Sequence, residues 1–411
     1  MAGSAQTITE EKFRADADSF LDANAEPKVE EKRGWGEGSD SVSLFAEKSA
    51  EQEHAEVSAA KQWRQKVFDA GFAWITGPSR YGGRELPAAY DRIYQSAEAG
   101  YDTPPQTPFG IGLGMVAPTI LAHATDRAKD LYLRSLYRGE IVGCQLFSEP
   151  AAGSDLAGLQ TRAVRDGDEW LITGQKVWTS GAQFSDIGEI ICRTDADLPK
   201  HKGLTGFIVD MHAPGVEIRP LRQMTGGASF NEVFFTDVRV ADDHRLGDVN
   251  QGWAVALTTL MNERASIGGG GGALPSIGGA RLVELLRHLG KDSDPLLRQL
   301  LAGVFINARV SSYTNLRAME KIKAGELPGP EMSIAKLSLT NNMQRIADLV
   351  SIALGPRMAA DTGEWGTYAW SELVLGVPGI RVAGGTDEVM KNIVGERVLG
   401  LPKEPSGDPK R

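Results

Sequence analysis

The sequence predicts an α+β protein in which helices come first, strands follow and helices return. Two observations carry this. Up to about residue 140 and again after Gly252, apolar side chains recur at helical spacing. Between Ile141 and Val240 the runs are short, β-branched and punctuated by turn residues. Elements grouped by type, rather than alternating, argue for segregated layers and against a doubly wound parallel sheet. The predicted layout is an N-terminal α-helical domain over 1–140, a middle antiparallel β domain over 141–245 and a C-terminal helical bundle over 246–411.

In chain order, Thr7 to Glu10 has capping-box spacing, and Phe13, Ala17, Phe20 and Leu21 then recur at helical intervals. An acidic Gly/Ser stretch around Trp35–Asp40 breaks the pattern. Ala55, Ala59, Trp63 and Val67 mark one face of a second helix that stops at Gly71. A third starts at Pro87, a residue suited to a first turn. Another spans about Asp126 to Tyr137 and ends before Gly139. Asp166-Gly167 between TRAVR and EWLITG predicts a hairpin. IGEIICR, TGFIVDM, GVEIRPL and NEVFFTDVRV follow as strands. Helical periodicity then covers 252–266, 295–323, 332–354 and 386–399, predicting an antiparallel bundle with short connections.

Composition narrows the function. The 411 residues predict two or three domains, with ample core and no need of a disulfide or metal staple. Lys plus Arg is 44 and Asp plus Glu is 54, a net charge of −10, which argues against nucleic acid as partner. Two cysteines, Cys144 and Cys192, make neither a disulfide framework nor a cysteine zinc site, and both read as buried small hydrophobes. No metal site is expected. The N-terminus has no apolar signal segment, and the longest uncharged run, Thr103 to Thr125, is broken by prolines and glycines, so no membrane insertion is expected. The reading is a cytoplasmic protein. Glycine is abundant, 48 of 411 residues.

Four segments could carry chemistry. In Leu146-Phe147-Ser148-Glu149-Pro150-Ala151-Ala152-Gly153-Ser154-Asp155 an apolar strand meets small residues whose N–H groups and hydroxyls could cradle a phosphate or a heterocycle edge; a tight turn at a domain boundary reads equally well. Gly174-Gln175-Lys176-Val177-Trp178-Thr179-Ser180-Gly181 offers a flat ring beside two hydroxyls, or simply a core tryptophan. Asn262-Glu263-Arg264 ends an apolar helix just before Gly268 to Gly272. That glycine run suits either a helix break and close packing or space for a ligand, and Glu263, unusual on an otherwise apolar helix, suits either an intrahelical salt bridge or solvated edge or a functional role. Gly384-Gly385-Thr386-Asp387-Glu388 is a loop-to-helix junction, able to hold an anionic or carbonyl oxygen or to serve only as an N-cap.

In this order the segments resemble the flavin-dependent acyl-CoA dehydrogenase family, along nearly the whole chain. The resemblance is most specific at FSEPAAGSD, GQKVWTSG, TGFIVD, FNEVFFTDVRV and GGTDEVMKNIVGERVLG. It implies an N-terminal α domain, a middle β domain, a C-terminal four-helix bundle and bound FAD. Leu146, Phe147 and Ser148 would line the flavin. Gly153 and Ser154 would lie near the nucleotide, Ser154 also near the substrate's phosphates. Trp178 would stack on the isoalloxazine, Thr179 and Ser180 would contact its edge, and Thr386 and Glu388 would touch FAD. Arg264 matches an arginine near the CoA moiety. The family reaction is α,β-dehydrogenation of an acyl-CoA thioester, with electrons passing to an electron-transfer flavoprotein. The usual assembly is a tetramer, here a homo- or hetero-oligomer built as a dimer of dimers.

The sequence departs from the commonest family pattern at the base. Where Glu-Gly-Thr is usual, this chain has Gly384-Gly385-Thr386. The Gly384 N–H survives as a donor to the thioester oxygen, but the carboxylate is gone. A minority of the family place the base on the first long bundle helix, immediately before an arginine, and Glu263 precedes Arg264 at that position. Asp387 and Glu388 are the next candidates. The Arg-x-x-Phe-Gly segment that reaches a neighbouring subunit's FAD is kept loosely, as Arg287-His288-Leu289-Gly290. Two other readings stay open: a monooxygenase or nitroalkane-oxidase type of flavoenzyme on the same fold, and a non-catalytic subunit of a hetero-oligomeric dehydrogenase.

Overall fold

A computed structural model describes residues 8–29, 34–44, 48–268, 279–323, 329–330 and 332–403. The chain forms two compact units and passes between them repeatedly. The first takes residues up to Lys32, Lys48–Leu221 and Phe230–Thr259; the second takes Arg33–Glu47, Arg222–Ser229 and Leu260–Arg411.

The first unit opens with helices α1 (Glu10–Asn24), α2 (Ala50–Asp69) and α3 (Ala88–Glu98). Thr9, rather than Thr7, caps α1, its side chain accepting from the Lys12 N–H; Thr7 lies outside the described residues. A full capping box, Ser49 with Gln52, starts α2. Phe13, Trp63, Phe72, Tyr90 and Tyr94 interlock these helices in one apolar cluster. The short strands β1 (Glu26–Pro27) and β2 (Tyr101–Asp102) pair with each other. A π turn over Gly112–Val116 leads into α4 (Ala117–His123), followed by α5 (Asp126–Arg138).

The sheet of this unit holds β3 (Gly143–Leu146), β4 (Arg162–Asp166), β5 (Glu169–Ser180), β6 (Ile187–Arg193), β7 (Leu204–Asp210), β8 (Val216–Leu221), β9 (Phe230–Ala241) and β10 (Arg245–Leu246). The order is β10-β7-β6-β4-β5-β9-β8, with β3 paired to β6. The hairpin at Asp166-Gly167 forms between β4 and β5. The sheet is mainly antiparallel, with two parallel contacts: β3 runs parallel to β6, and β4 meets β6 in parallel at Arg162 and Arg193. The helix-containing first domain delivers β3 to the sheet, so no hairpin constrains its direction.

Helix α6 (Gly252–Gly268) belongs to the first unit through Thr259 and to the second from Leu260. The second unit continues with α7 (Gly279–His288), α8 (Pro295–Lys323), α9 (Met332–Leu354), α10 (Trp370–Val382) and α11 (Asp387–Ile393). Helix α9 is central, packing on α8, α10 and α11. Periodicity missed α10 because Gly376, Pro378 and Gly379 interrupt its pattern; Pro378 sits inside the helix all the same. The stretch at Trp35–Asp40 is no linker. Val42 and Leu44 join the core of this unit with Leu282 and Trp370, and the Trp365 indole N–H donates to the Gly38 carbonyl at 2.9 Å.

Candidate active site

In the first unit the two glycine- and hydroxyl-bearing segments are bolted together. The Lys176 ammonium, wholly buried on β5, donates to Glu149 Oε1 at 2.9 Å, to the Phe147 carbonyl at 3.1 Å and to the Ile191 carbonyl at 2.9 Å. Glu149 also accepts from the Gln160 and Thr161 N–H groups, at 2.6 and 2.9 Å. The Val177 N–H donates to the Ser148 carbonyl at 2.8 Å. Burial pulls the Lys176 pKa down while Glu149 pulls it back up. For Glu149, burial works upward, but Lys176 and the hydrogen bonds outweigh it and hold the carboxyl below its ordinary range.

This frame presents Trp178. The β5–β9 register slips between Lys176 and Thr179, leaving a bulge that holds Trp178 at φ +63°. A left-handed tryptophan is a strained backbone state. The bulge turns the indole outward, 59% exposed, in an edge-to-face contact with Phe230 whose ring centroids are 6.0 Å apart. Thr179 is buried, and its hydroxyl has no hydrogen-bond partner. Ser180 ends β5, half-buried. Leu146 is wholly buried in the sheet core with Cys144 and Ile190, Phe147 is buried, and Ser148 is half-buried. Gly153 and Ser154 lie exposed on the loop. A projecting indole beside an orphaned hydroxyl fits a planar heterocycle with polar edge atoms, as FAD has. The same unit carries an open groove of about 400 Å³ lined by Leu198, His201, Lys202, Asn250, Trp253 and Leu257 among others.

In the second unit, Gly384 and Gly385 join α10 to α11 at φ +67° and +92°. A Cβ on Gly385 would lie 2.5 Å from Met390 Cε. Both left-handed positions disfavour any other residue, so a glutamate at 384 would start from a strained backbone. Thr386 is the α11 N-cap, accepting from the Val389 N–H at 3.1 Å. Glu388 is exposed on the first turn. Asp387 is buried and receives three side chains: Lys336 Nζ at 3.0 Å, Thr340 Oγ1 at 2.9 Å and Arg381 Nε at 2.8 Å. Burial would raise its pKa, but hydrogen bonds from Arg381, Lys336 and Thr340 prevail and lower it. Glu263 stands half-buried on α6. Arg264 follows it in the helix, with its side chain outside the described residues, as is nearly all of the glycine run, 269–272. His288 stacks on Trp35 at 5.0 Å and meets Glu364 at 2.9 Å.

Sequence reasoning passed over Lys176 and Asp387 as structural keys. The signal was there in part: Lys176 stands just before the apolar Val177-Trp178 in a strand, and Lys336 in SIAKLSLT lies among small and apolar residues. Burial pushes the thiols of Cys144 and Cys192 up to about 12, so neither is a ready nucleophile.

A helix-sheet-helix chain with an exposed indole beside hydroxyls fits a flavoprotein oxidoreductase. Three family profiles match it in succession: the acyl-CoA dehydrogenase N-terminal domain over 37–140, middle domain over 144–238 and C-terminal domain over 250–399. The chain belongs to the acyl-CoA dehydrogenase family. Acyl-CoA dehydrogenase IpdE1 of Mycobacterium tuberculosis (strain ATCC 25618 / H37Rv) is 35% identical over 362 residues, 86% of this chain and 91% of that one. Acyl-CoA dehydrogenase FadE34 of the same organism is 38% identical over 353 residues, 85% of this chain. The match spans about half, 48%, of FadE34. Among solved structures, one titled Tcur3481-Tcur3483 steroid ACAD superposes with TM-score 0.69 at 26% identity, covering 96% of this chain and 98% of that one. The ChsE4-ChsE5 complex from Mycobacterium tuberculosis gives TM-score 0.68 at 26% identity, covering 98% and 100%.

Proposed function

We propose that the protein dehydrogenates an acyl-CoA thioester at its α,β bond to the trans-2-enoyl thioester, with Glu263 as the base. The observation that carries this is the commitment of Asp387. Of the carboxylates near the Gly384–Thr386 loop in sequence, Asp387 is tied to three donors and held ionised at low pKa. Glu388 is exposed. Gly384 offers none. A base must face the substrate and take a proton near neutrality; Glu263 is half-buried on α6, at the position where a minority of the family carries its base.

In this reading Glu263 removes the α-proton, and the electron pair left behind forms the new C=C bond as the β-hydrogen departs with its own pair. Bound FAD supplies the acceptor for that hydride. The Gly384 N–H donates to the thioester oxygen, stabilising the enolate-like charge. Trp178, Thr179 and Ser180 hold the flavin ring; Phe147 and Ser148 line it, whereas Leu146, wholly buried in the sheet core, backs them and does not reach the ring. Gly153 and Ser154 approach the nucleotide or the substrate phosphates. Thr386 and Glu388 add further flavin contacts, and Arg264 is assigned to the CoA moiety by its place in the family pattern. The Lys202–Trp253 groove, with its cation and flat ring, suits the adenine nucleotide end of CoA.

Electrons would leave to an electron-transfer flavoprotein. An apolar stripe on α8, with Ile306, Val310 and Tyr313 each more than half exposed, supports assembly with a second copy or a related chain. No helix among the described residues is long and apolar enough to cross a membrane, in keeping with a cytoplasmic site of action. The steroid title of one neighbour supports a bulky acyl group.

The test is anaerobic flavin reduction by butyryl-, isobutyryl- and octanoyl-CoA and a steroid side-chain CoA thioester. Glu263→Gln should slow reduction by about 10²-fold or more while flavin stays bound. Wild-type speed in that variant moves the base elsewhere. A wild-type flavin that none of the four thioesters reduces overturns the dehydrogenase reading.

A further inference from the structure

Glu189 lies in the middle of β6, and every residue from Ile187 to Cys192 is buried. Its neighbours along the strand are Gly188 and Ile190, so a carboxyl here needs a reason. The side chain is wholly buried. Oε1 lies 2.5 Å from Thr259 Oγ1 on α6. Thr259 Oγ1 lies 2.9 Å from Thr119 Oγ1 on α4. Thr119 Oγ1 donates to the Met115 carbonyl at 2.9 Å. Oε2 has no partner.

Counting protons decides how this chain runs. With the acid protonated on Oε1, Glu189 donates to Thr259, Thr259 to Thr119, and Thr119 to the Met115 carbonyl. Thr259 Oγ1 also lies 3.2 Å from the Val255 carbonyl, so in this state three protons serve four contacts and Thr259 shares its own between Thr119 and Val255. With the acid ionised, Thr259 must donate to Oε1. Two protons then serve the four contacts, Thr119 has one proton for two acceptors, and a buried charge keeps a single donor.

We propose that Glu189 is a positioning residue: at the head of this one-way hydroxyl chain, it ties the middle of α6 to the sheet and to α4, one helical turn before Glu263. Beside it, His123 of α4 meets Thr258 of α6 at 2.8 Å, a second tie at the same level. The consequence for catalysis rests on the reading of Glu263 as base; the anchoring itself does not.

The anchor is pH-sensitive. Burial pushes the Glu189 carboxyl up to about 8, and no charge opposes it. On β3 and β6 the thiols of Cys144 and Cys192 belong to the sheet core with Ile190. Lys176 of β5 is committed to Glu149. Arg193, at the end of β6, donates to the Ala157 and Lys200 carbonyls. Asp210 ends β7, exposed. His123 is taken by Thr258, and Glu263 lies a turn further along α6. Above about pH 8 the acid ionises, the chain breaks and α6 loosens.

The test is amide hydrogen exchange on the full-length, flavin-loaded protein, read over residues 256–263 between pH 6 and 9 and corrected for intrinsic exchange. Wild-type protection should fall about tenfold from pH 7 to pH 9. Glu189→Gln should abolish that fall, because its amide donates to Thr259 as the acid does. Thr259→Val should lower protection at every pH. With octanoyl-CoA or the steroid thioester, the wild type's alkaline decline in flavin reduction should be absent from Glu189→Gln. A Glu189→Gln protein that tracks the wild type across the pH range overturns the inference, as does unchanged protection in Thr259→Val. If exchange behaves as expected while Glu263→Gln reduces its flavin at wild-type speed, the anchor stands and Glu263 falls as the base.

Discussion

Lys176 and Glu149 form an ion pair, 2.9 Å from Nζ to Oε1, inside the β-sheet unit. The pair joins the turn after β3 to the strand that carries Trp178, so two segments 27 residues apart in sequence act as one. A buried pair contributes little net stability, but breaking it from one side strands a charge. Lys176→Met should therefore cost about 3–5 kcal/mol and release flavin, read by urea unfolding and the visible spectrum. Lys176→Met with Glu149→Gln should recover much of the stability. Equal losses in single and double variants would mean that the pair is not coupled.

Asp387 gives the acid side of the stability profile. Its pKa is lowered from an ordinary 3.8, with Arg381 the largest of the lowering influences. A lowered carboxyl adds stability above its unfolded pKa, and that stability is lost as pH falls through the folded value. Asp387→Asn should flatten the decline in urea midpoint below about pH 4. It should also lower stability at pH 7, because Lys336 is left buried without its countercharge. An unaltered acid limb would show that the Asp387 contacts do not form in solution.

Glu189 sets the opposite slope. Its carboxyl is raised from an ordinary 4.5 to about 8 by burial. The folded state therefore holds a proton that the unfolded chain releases. Stability is fully present below about 4.5, falls by about 1.4 kcal/mol per unit above it, and the loss is complete above about 8. Glu189→Gln should remove this slope, so that variant and wild type diverge as pH rises from about 5 to about 8 and run parallel above it. Parallel curves of urea midpoint between those two pH values would contradict the assignment.

Trp178 should show stability and cofactor binding moving in opposite directions. The left-handed backbone at φ +63° costs a non-glycine residue about 1–2 kcal/mol, and an exposed indole returns little packing. Trp178→Gly should leave the flavin-free protein as stable as wild type or more so, while flavin retention falls. If retention is unchanged, the indole is not the flavin platform.

Grouped periodicities made the helix-strand-helix order legible, because a 3.6-residue and a 2-residue repeat are local properties. The hairpin at Asp166-Gly167 and the strands β6 to β9 were readable for the same reason. So were the candidate cofactor segments, whose small and hydroxyl residues stand together in the chain. Local pattern could not show α10, whose glycines and proline contradict its helix until packing on α9 supplies the stability. Nor could it show that β3 enters parallel to β6, since strand direction depends on the path taken between strands.

The site divides along the same line. Glu263, Trp178 and the Gly384-Gly385-Thr386 loop were candidates from residue type and order alone. Which carboxylates are occupied was decided by tertiary structure. Asp387 looked available in sequence and is held by Lys336, Thr340 and Arg381 from two other helices. Glu189 looked like one polar residue in an apolar strand and heads a chain through Thr259 and Thr119, 70 and 140 residues apart. Hydrogen-bond partners and burial set a carboxyl's charge, and both are fixed by which distant segments fold against it.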